Sequence, residues 1–96
     1  MGVDEIKRKL EEIREDARTE YKAEIVGIFG SFARGEGNEE SDIDILVRFF
    51  EGASLFDLVG LGDFLEEKLG RKVDIVSEGA MREEIQEIVL SELVKI

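Results

Sequence analysis

The chain contains no cysteine and no histidine. Without cysteine there is no disulfide framework and no thiolate metal site. Without histidine, Ser-His-Asp and Cys-His catalysis are excluded, and so are zinc centres built on imidazole. Chemistry must come from carboxylates, hydroxyls, lysine and arginine. Positive charge is also scarce: 13 basic residues stand against 24 acidic ones, a formal net charge of −11. Lysine and arginine are what displace counterions from a phosphate backbone, and no local basic patch interrupts this acidic sequence. The composition argues against nucleic acid as a partner. The acidic excess reads as a solvated surface or as a docking face for a basic protein. The opening Met-Gly-Val-Asp-Glu-Ile-Lys lacks the apolar centre of a signal peptide, and no run approaches membrane-span length. A cytoplasmic protein with no membrane contact is expected. A single Asn and a single Gln beside many Glu, Lys and Arg resemble the composition of thermophile proteins.

At 96 residues, 43% hydrophobic and 39% charged, the sequence suits one small globular domain spanning 1–96. Such a domain has little room for a deep cleft. A second copy or a different partner, as a homo- or hetero-oligomer, is expected to complete any substrate pocket. There is no low-complexity linker and no internal repeat.

Apolar residues at Ile6, Leu10, Ile13 and Ala17 recur at helical spacing and predict an amphipathic helix over 4–18. The β-branched run 24–29, ended by Gly30, predicts a buried strand. A short helical turn over 31–35 and a polar loop over 36–41 lead to a second strand over 43–50. Ser54 and Asp57 form a capping-box pattern that opens a helix over 55–69, with Leu55, Leu58, Leu61, Leu65 and Leu69 on one side and Gly70 as its stop. A third strand over 72–77 and a last helix over 81–93, with Met81, Ile85, Ile88, Val89 and Leu93 inward, complete the chain. The predicted order αβαβαβα implies an α/β (α+β) fold: a small mixed sheet of three or four strands packed by helices.

The chemistry concentrates in the middle. Gly30-Ser31 closes the first apolar run, and Asp42 and Asp44 stand two apart at the mouth of the second. In a strand, residues i and i+2 point to the same face, so both carboxylates aim at one spot at the edge of a sheet. Mg²⁺ takes oxygen ligands of this kind, one or two carboxylates plus substrate phosphates. The Gly-Ser turn offers backbone N–H groups and a hydroxyl where phosphates would sit, although a tight turn without a ligand explains the same pair. Asp44 interrupts the apolar Ile43, Ile45, Leu46 and Val47, where a purely structural strand gains nothing from a carboxylate. Asp74 intrudes in the same way into Val73, Ile75 and Val76. If the two strands are neighbours, three carboxylates converge, and their mutual repulsion makes sense only with cations among them. Alternatively Asp74 ends its strand at the surface. Arg34 fits a phosphate or one of the loop glutamates Glu36, Glu39 and Glu40, which otherwise read as solvated charges.

Gly30-Ser31, ten residues, then Asp42-x-Asp44 resembles the signature of the polymerase-β nucleotidyltransferase superfamily. The Gly-Ser-x-Ala-Arg-Gly opening, the Ser-Asp-Ile-Asp close and the later run from Leu65 to Val76 are similar to its minimal nucleotidyltransferases (MNT), over about residues 20–96. The resemblance implies that Gly30 and Ser31 hold the triphosphate of ATP and that Asp42 and Asp44 bind Mg²⁺, two ions in all. Asp74 would complete the site and help deprotonate the acceptor hydroxyl. It further implies an antitoxin that transfers AMP to a tyrosine of a partner HEPN ribonuclease toxin. Two alternatives stand beside this. One is an antitoxin that acts by binding alone. The other is a small-molecule nucleotidyltransferase of the aminoglycoside-modifying kind, although those relatives carry a further substrate domain.

Overall fold

The computed structural model describes residues 1–96. Helix α1 (Val3–Tyr21) buries Ile6, Leu10, Ile13 and Ala17, the stripe that its spacing predicts, and runs one turn further than expected. It stops at Lys22, which adopts a left-handed conformation with φ of 54°. Strand β1 (Ala23–Phe29) follows at once and leads into a single helical turn, α2 (Gly30–Ala33). Strand β2 (Ile43–Phe49), helix α3 (Leu55–Leu69) and strand β3 (Val73–Ser77) come next. Helix α4 (Glu83–Glu92) and a two-residue strand, β4 (Val94–Lys95), end the chain.

The four strands form one mixed sheet in the order β3-β2-β1-β4. β1 pairs antiparallel with β2 and with β4, while β2 and β3 run parallel. The expected small mixed sheet packed by helices is the observed fold. β1 carries a bulge: Ile25 faces Val47 and Gly27 faces Leu46, leaving Val26 without a partner. The extra residue puts both Ile25 and Ile28 on the inner side, which an unbroken strand would not do for residues three apart. The core lies between that side and helices α1 and α3, and contains Ile25, Ile28, Ile43, Ile45, Val47, Leu61 and Leu65 at full burial. Gly27 faces the other way and lets β4 approach, since a Cβ there would overlap the Val94 carbonyl oxygen.

Two expectations about helix faces are corrected. In α3 the Ser54 backbone N–H donates to the Asp57 carboxylate at 2.8 Å, as the capping box predicts, but Leu55 is 72% exposed. The buried portion begins at Leu61, just after Gly60, where the Tyr21 ring lies against the helix backbone, and Leu55 and Phe56 in the first turn are left exposed. In α4 only Val89 is buried, while Ile85 and Ile88 are 49% and 60% exposed. Met81 precedes the helix in extended backbone and Leu93 ends it. The reason is placement: α4 lies chiefly beside α2 and β1, and the chain leaves it at Leu93 to pair as β4 on the sheet edge.

Candidate active site

The end of β1 sets the geometry. Gly30 turns the chain out of the strand with φ of 75°, a region that side chains strain to adopt. A Cβ at Gly30 would also overlap the Asp44 carboxylate, so only glycine brings backbone and carboxylate this close. Ser31 follows, half-buried, at the start of the single turn whose Phe32 anchors it in the core.

β2 and β3 bring the carboxylates together. Asp44 is the register partner of Asp74 across the parallel pair and of Phe29 across the antiparallel one. Register partners share a face, and strand alternation adds Asp42 to it from just before β2. This is the side opposite the Ile43, Ile45 and Val47 core. Asp42 and Asp74 are exposed and Asp44 is half-buried. The Asp44 carboxyl is pushed above its usual range, first by burial and then by the charges of Asp74 and Asp42, with Glu92 adding to them and Arg34 opposing. The three aspartates share a face and a field without forming a ready-made coordination shell. Asp74 is at the surface, as the alternative has it, but it does not end its strand: it is the second residue of β3 and stands beside Asp44.

Arg34 points back at this face. Its Nε donates to Glu36 Oε1 at 3.0 Å and its Nη1 to Glu92 Oε1 at 2.9 Å. The loop-glutamate reading of Arg34 is thus realised, and a second carboxylate joins it from α4. The other Glu92 oxygen, Oε2, accepts the Gly30 backbone N–H at 3.1 Å. Sequence reasoning did not single out Glu92, and no local signal marks it, because the contact spans 62 positions.

Arg71 was also missed. Its Nη2 donates to the carbonyls of Asn38 at 2.5 Å and Ser41 at 3.0 Å, and its guanidinium lies 5.0 Å from the centre of the Phe32 ring. It ties the loop before Asp42 to the start of β3, and the Ile43 N–H donation to the Lys72 carbonyl at 2.9 Å does the same from the backbone. The only sequence hint was its place between the helix stop Gly70 and the strand carrying Asp74. The shallow depression beside Asp42 is lined by these same loop and turn residues, Glu39, Glu40, Ser41, Gly70, Arg71 and Lys72.

Carboxylates facing a glycine turn suit the handling of phosphates through cations and backbone N–H groups. The nucleotidyltransferase domain family model matches residues 10–96, and the chain belongs to that family. The protein adenylyltransferase MntA of Thermococcus cleftensis is 37% identical over 96 residues, 100% of this chain and 97% of its own. A candidate protein adenylyltransferase of Methanocaldococcus jannaschii is 43% identical over 96 residues, 100% of this chain and 99% of its own. Among solved structures, a candidate minimal nucleotidyltransferase superposes with a TM-score of 0.85 at 38% identity, covering 100% of this chain and 97% of that one. A chain from the complex of tri-AMPylated Shewanella oneidensis HEPN toxin with MNT antitoxin matches with a TM-score of 0.69 at 20% identity, covering 96% of this chain and 69% of that one. That last likeness is one of fold. No helix of the chain is long and apolar enough to cross a membrane.

Proposed function

We propose that this nucleotidyltransferase transfers AMP from ATP to a protein hydroxyl, and that the acceptor is a tyrosine of a HEPN ribonuclease toxin for which the chain is the antitoxin. The observation that carries the reading is the register of Asp44 with Asp74 on the face that Gly30 leaves open. The names of the relatives support AMP transfer to protein, and the fold shared with an MNT antitoxin complex supports the partner.

The donor set fits a divalent cation. Asp42, Asp44 and Asp74 offer hard oxygens, and the Asp44 carboxyl, raised first by burial and then by the charges of Asp74 and Asp42, would be eased by a cation. When bound, two Mg²⁺ ions supply neutralisation of phosphate charge and a lower proton affinity for the attacking hydroxyl. The protein's own groups do the rest. The Gly30 N–H, the Ser31 hydroxyl and the Arg34 guanidinium seat phosphate oxygens. Asp74, exposed at the rim, accepts the proton of the incoming hydroxyl. The hydroxyl oxygen bonds to the α-phosphorus, the bond from that phosphorus to its bridging oxygen breaks, and pyrophosphate leaves. Positioning and charge stabilisation carry such a displacement, and a covalent enzyme intermediate is not required.

The test is incubation of the chain with ATP, Mg²⁺ and a purified HEPN ribonuclease encoded beside it. AMP on a toxin tyrosine, seen by mass spectrometry and lost with Asp42→Ala/Asp44→Ala, is the expected result. If that double variant still protects cells fully, neutralisation is by binding alone. If the toxin stays unmodified and an aminoglycoside acquires AMP, the small-molecule reading replaces this one.

A further inference from the structure

We propose that Glu92 is a built-in competitor for the phosphate subsite, an internal anion that nucleotide must displace. Its carboxylate bridges the Gly30 N–H, at 3.1 Å, and the Arg34 guanidinium, at 2.9 Å. These are two of the groups assigned to phosphate in the proposed function, on which this inference rests.

The chemistry of the two anions is alike. A carboxylate and a phosphate both present charged oxygens to an N–H and a guanidinium, and both form the stronger, charge-assisted kind of hydrogen bond. One backbone N–H cannot serve both. Glu92 is also misplaced on charge grounds alone. In a chain of net charge −11, a carboxylate from the last turn of a mostly exposed helix would gain by pointing to solvent. Instead its side chain is only 21% exposed and lies close enough to Asp44 to add to the negative charge there. The two donors are what hold it there. Release costs little elsewhere, because α4 buries only Val89 and could let its last side chain swing out without opening the core.

A competing group lowers apparent affinity by the fraction of molecules in which the subsite is free. Glu92→Gln keeps the shape and removes the charge, and Glu92→Ala removes the group. Calorimetric titration of the full chain with Mg·ATP, and separately with Mg·tripolyphosphate, reads the effect. Both variants should bind both ligands roughly three- to tenfold more tightly than the parent chain, the range set by a partly exposed ion pair. An equal gain for tripolyphosphate, which has no base or ribose, places the competition at the phosphates. If the parent chain binds and the variants bind no better, Glu92 is not a competitor; weaker binding would make it a supporting ligand instead. If no chain binds either ligand, the phosphate-site reading fails and this inference with it. A second measurement needs no variant. In the parent chain, the amide resonances of Gly30 and of Ser91 and Glu92 should move together as Mg·tripolyphosphate is added. Movement of Gly30 with α4 unchanged would overturn the proposal.

Discussion

The two sides of the sheet are used in opposite ways, and β2 belongs to both. Toward α1 and α3 it presents Ile43, Ile45 and Val47, all fully buried. Toward the other side it presents Asp44 and Leu46, with Asp74 beside Asp44 on β3. The period of two keeps the carboxylate of Asp44 off the face that packs on α1 and α3, while Leu46, two residues on, is itself fully buried on the opposite side. The helices divide in the same way. α1 and α3 are fastened by stripes of buried side chains, whereas α4 has Val89 alone. Stability is concentrated on one side, and the other is left free to gather like charges that a tightly packed interior would not tolerate.

The sharpest way to break this comparison is to cut equivalent side chains from the two sides. Leu65→Ala removes a fully buried side chain from α3 and should destabilise by about 3 kcal/mol. Ile88→Ala removes one of similar size from the exposed face of α4 and should stay within about 0.5 kcal/mol. Chemical denaturation of both variants checks this. Comparable losses would show that α4 is fastened as firmly as α3.

Gly30→Ala tests the seam between the sides. The new Cβ meets the Asp44 carboxylate in a left-handed backbone, so the cost should be about 1–3 kcal/mol. Mg·ATP binding should fall with it, because Asp44 must move. Calorimetry and melting curves read the two effects separately, and a variant that binds as well as the parent would remove Gly30 from the site.

The smallest effect concerns a charge cluster that plays no part in the chemistry. Arg18 and Arg14 donate to Glu24 on β1 at 2.9 Å and 3.1 Å. Hydrogen bonding from Arg18 first, and Arg14 with it, takes the Glu24 carboxyl from 4.5 to about 2, against the opposing effect of burial. A carboxyl depressed on folding stabilises fully above its unfolded value and loses that contribution as pH falls toward its folded one. Stability should therefore decline between about pH 4.5 and pH 2, and Glu24→Gln should flatten that decline. Because both arginines are more than a third exposed, the cost of Glu24→Gln at neutral pH should be about 1 kcal/mol. Melting temperatures of the two proteins from pH 2 to 7 decide it.

Much of this arrangement is legible in the chain. The stripe from Ile6 to Ala17, the Ser54-Asp57 cap and the spacing of Asp42 and Asp44 are local, so periodicity and capping chemistry reveal them. The pairing of Asp44 with Asp74 needed one further step, the adjacency of two strands, which the parallel register supplies. What stayed hidden depends on neighbours. Periodicity aligns Leu55 with Leu61 and Ile85 with Val89, but it does not say where the covering element ends. The bulge at Val26, the short β4 and the Glu92 contact with Gly30 arise only once the sheet edge and α4 are placed side by side.

The central claim is that the carboxylates on the charged side of the sheet hold ATP with a divalent cation and do not themselves stabilise the fold. Asp44→Asn tests it in one protein. Its melting temperature in EDTA should equal or exceed that of the parent, since the substitution removes a carboxyl that burial and two neighbouring aspartates disfavour. Mg·ATP should raise the parent's melting temperature, by about 2.7 kcal/mol of stability at a hundredfold excess over the dissociation constant, and leave Asp44→Asn almost unmoved. An Asp44→Asn chain that unfolds in EDTA would make Asp44 a structural residue, and one that gains as much from Mg·ATP as the parent would place the nucleotide elsewhere.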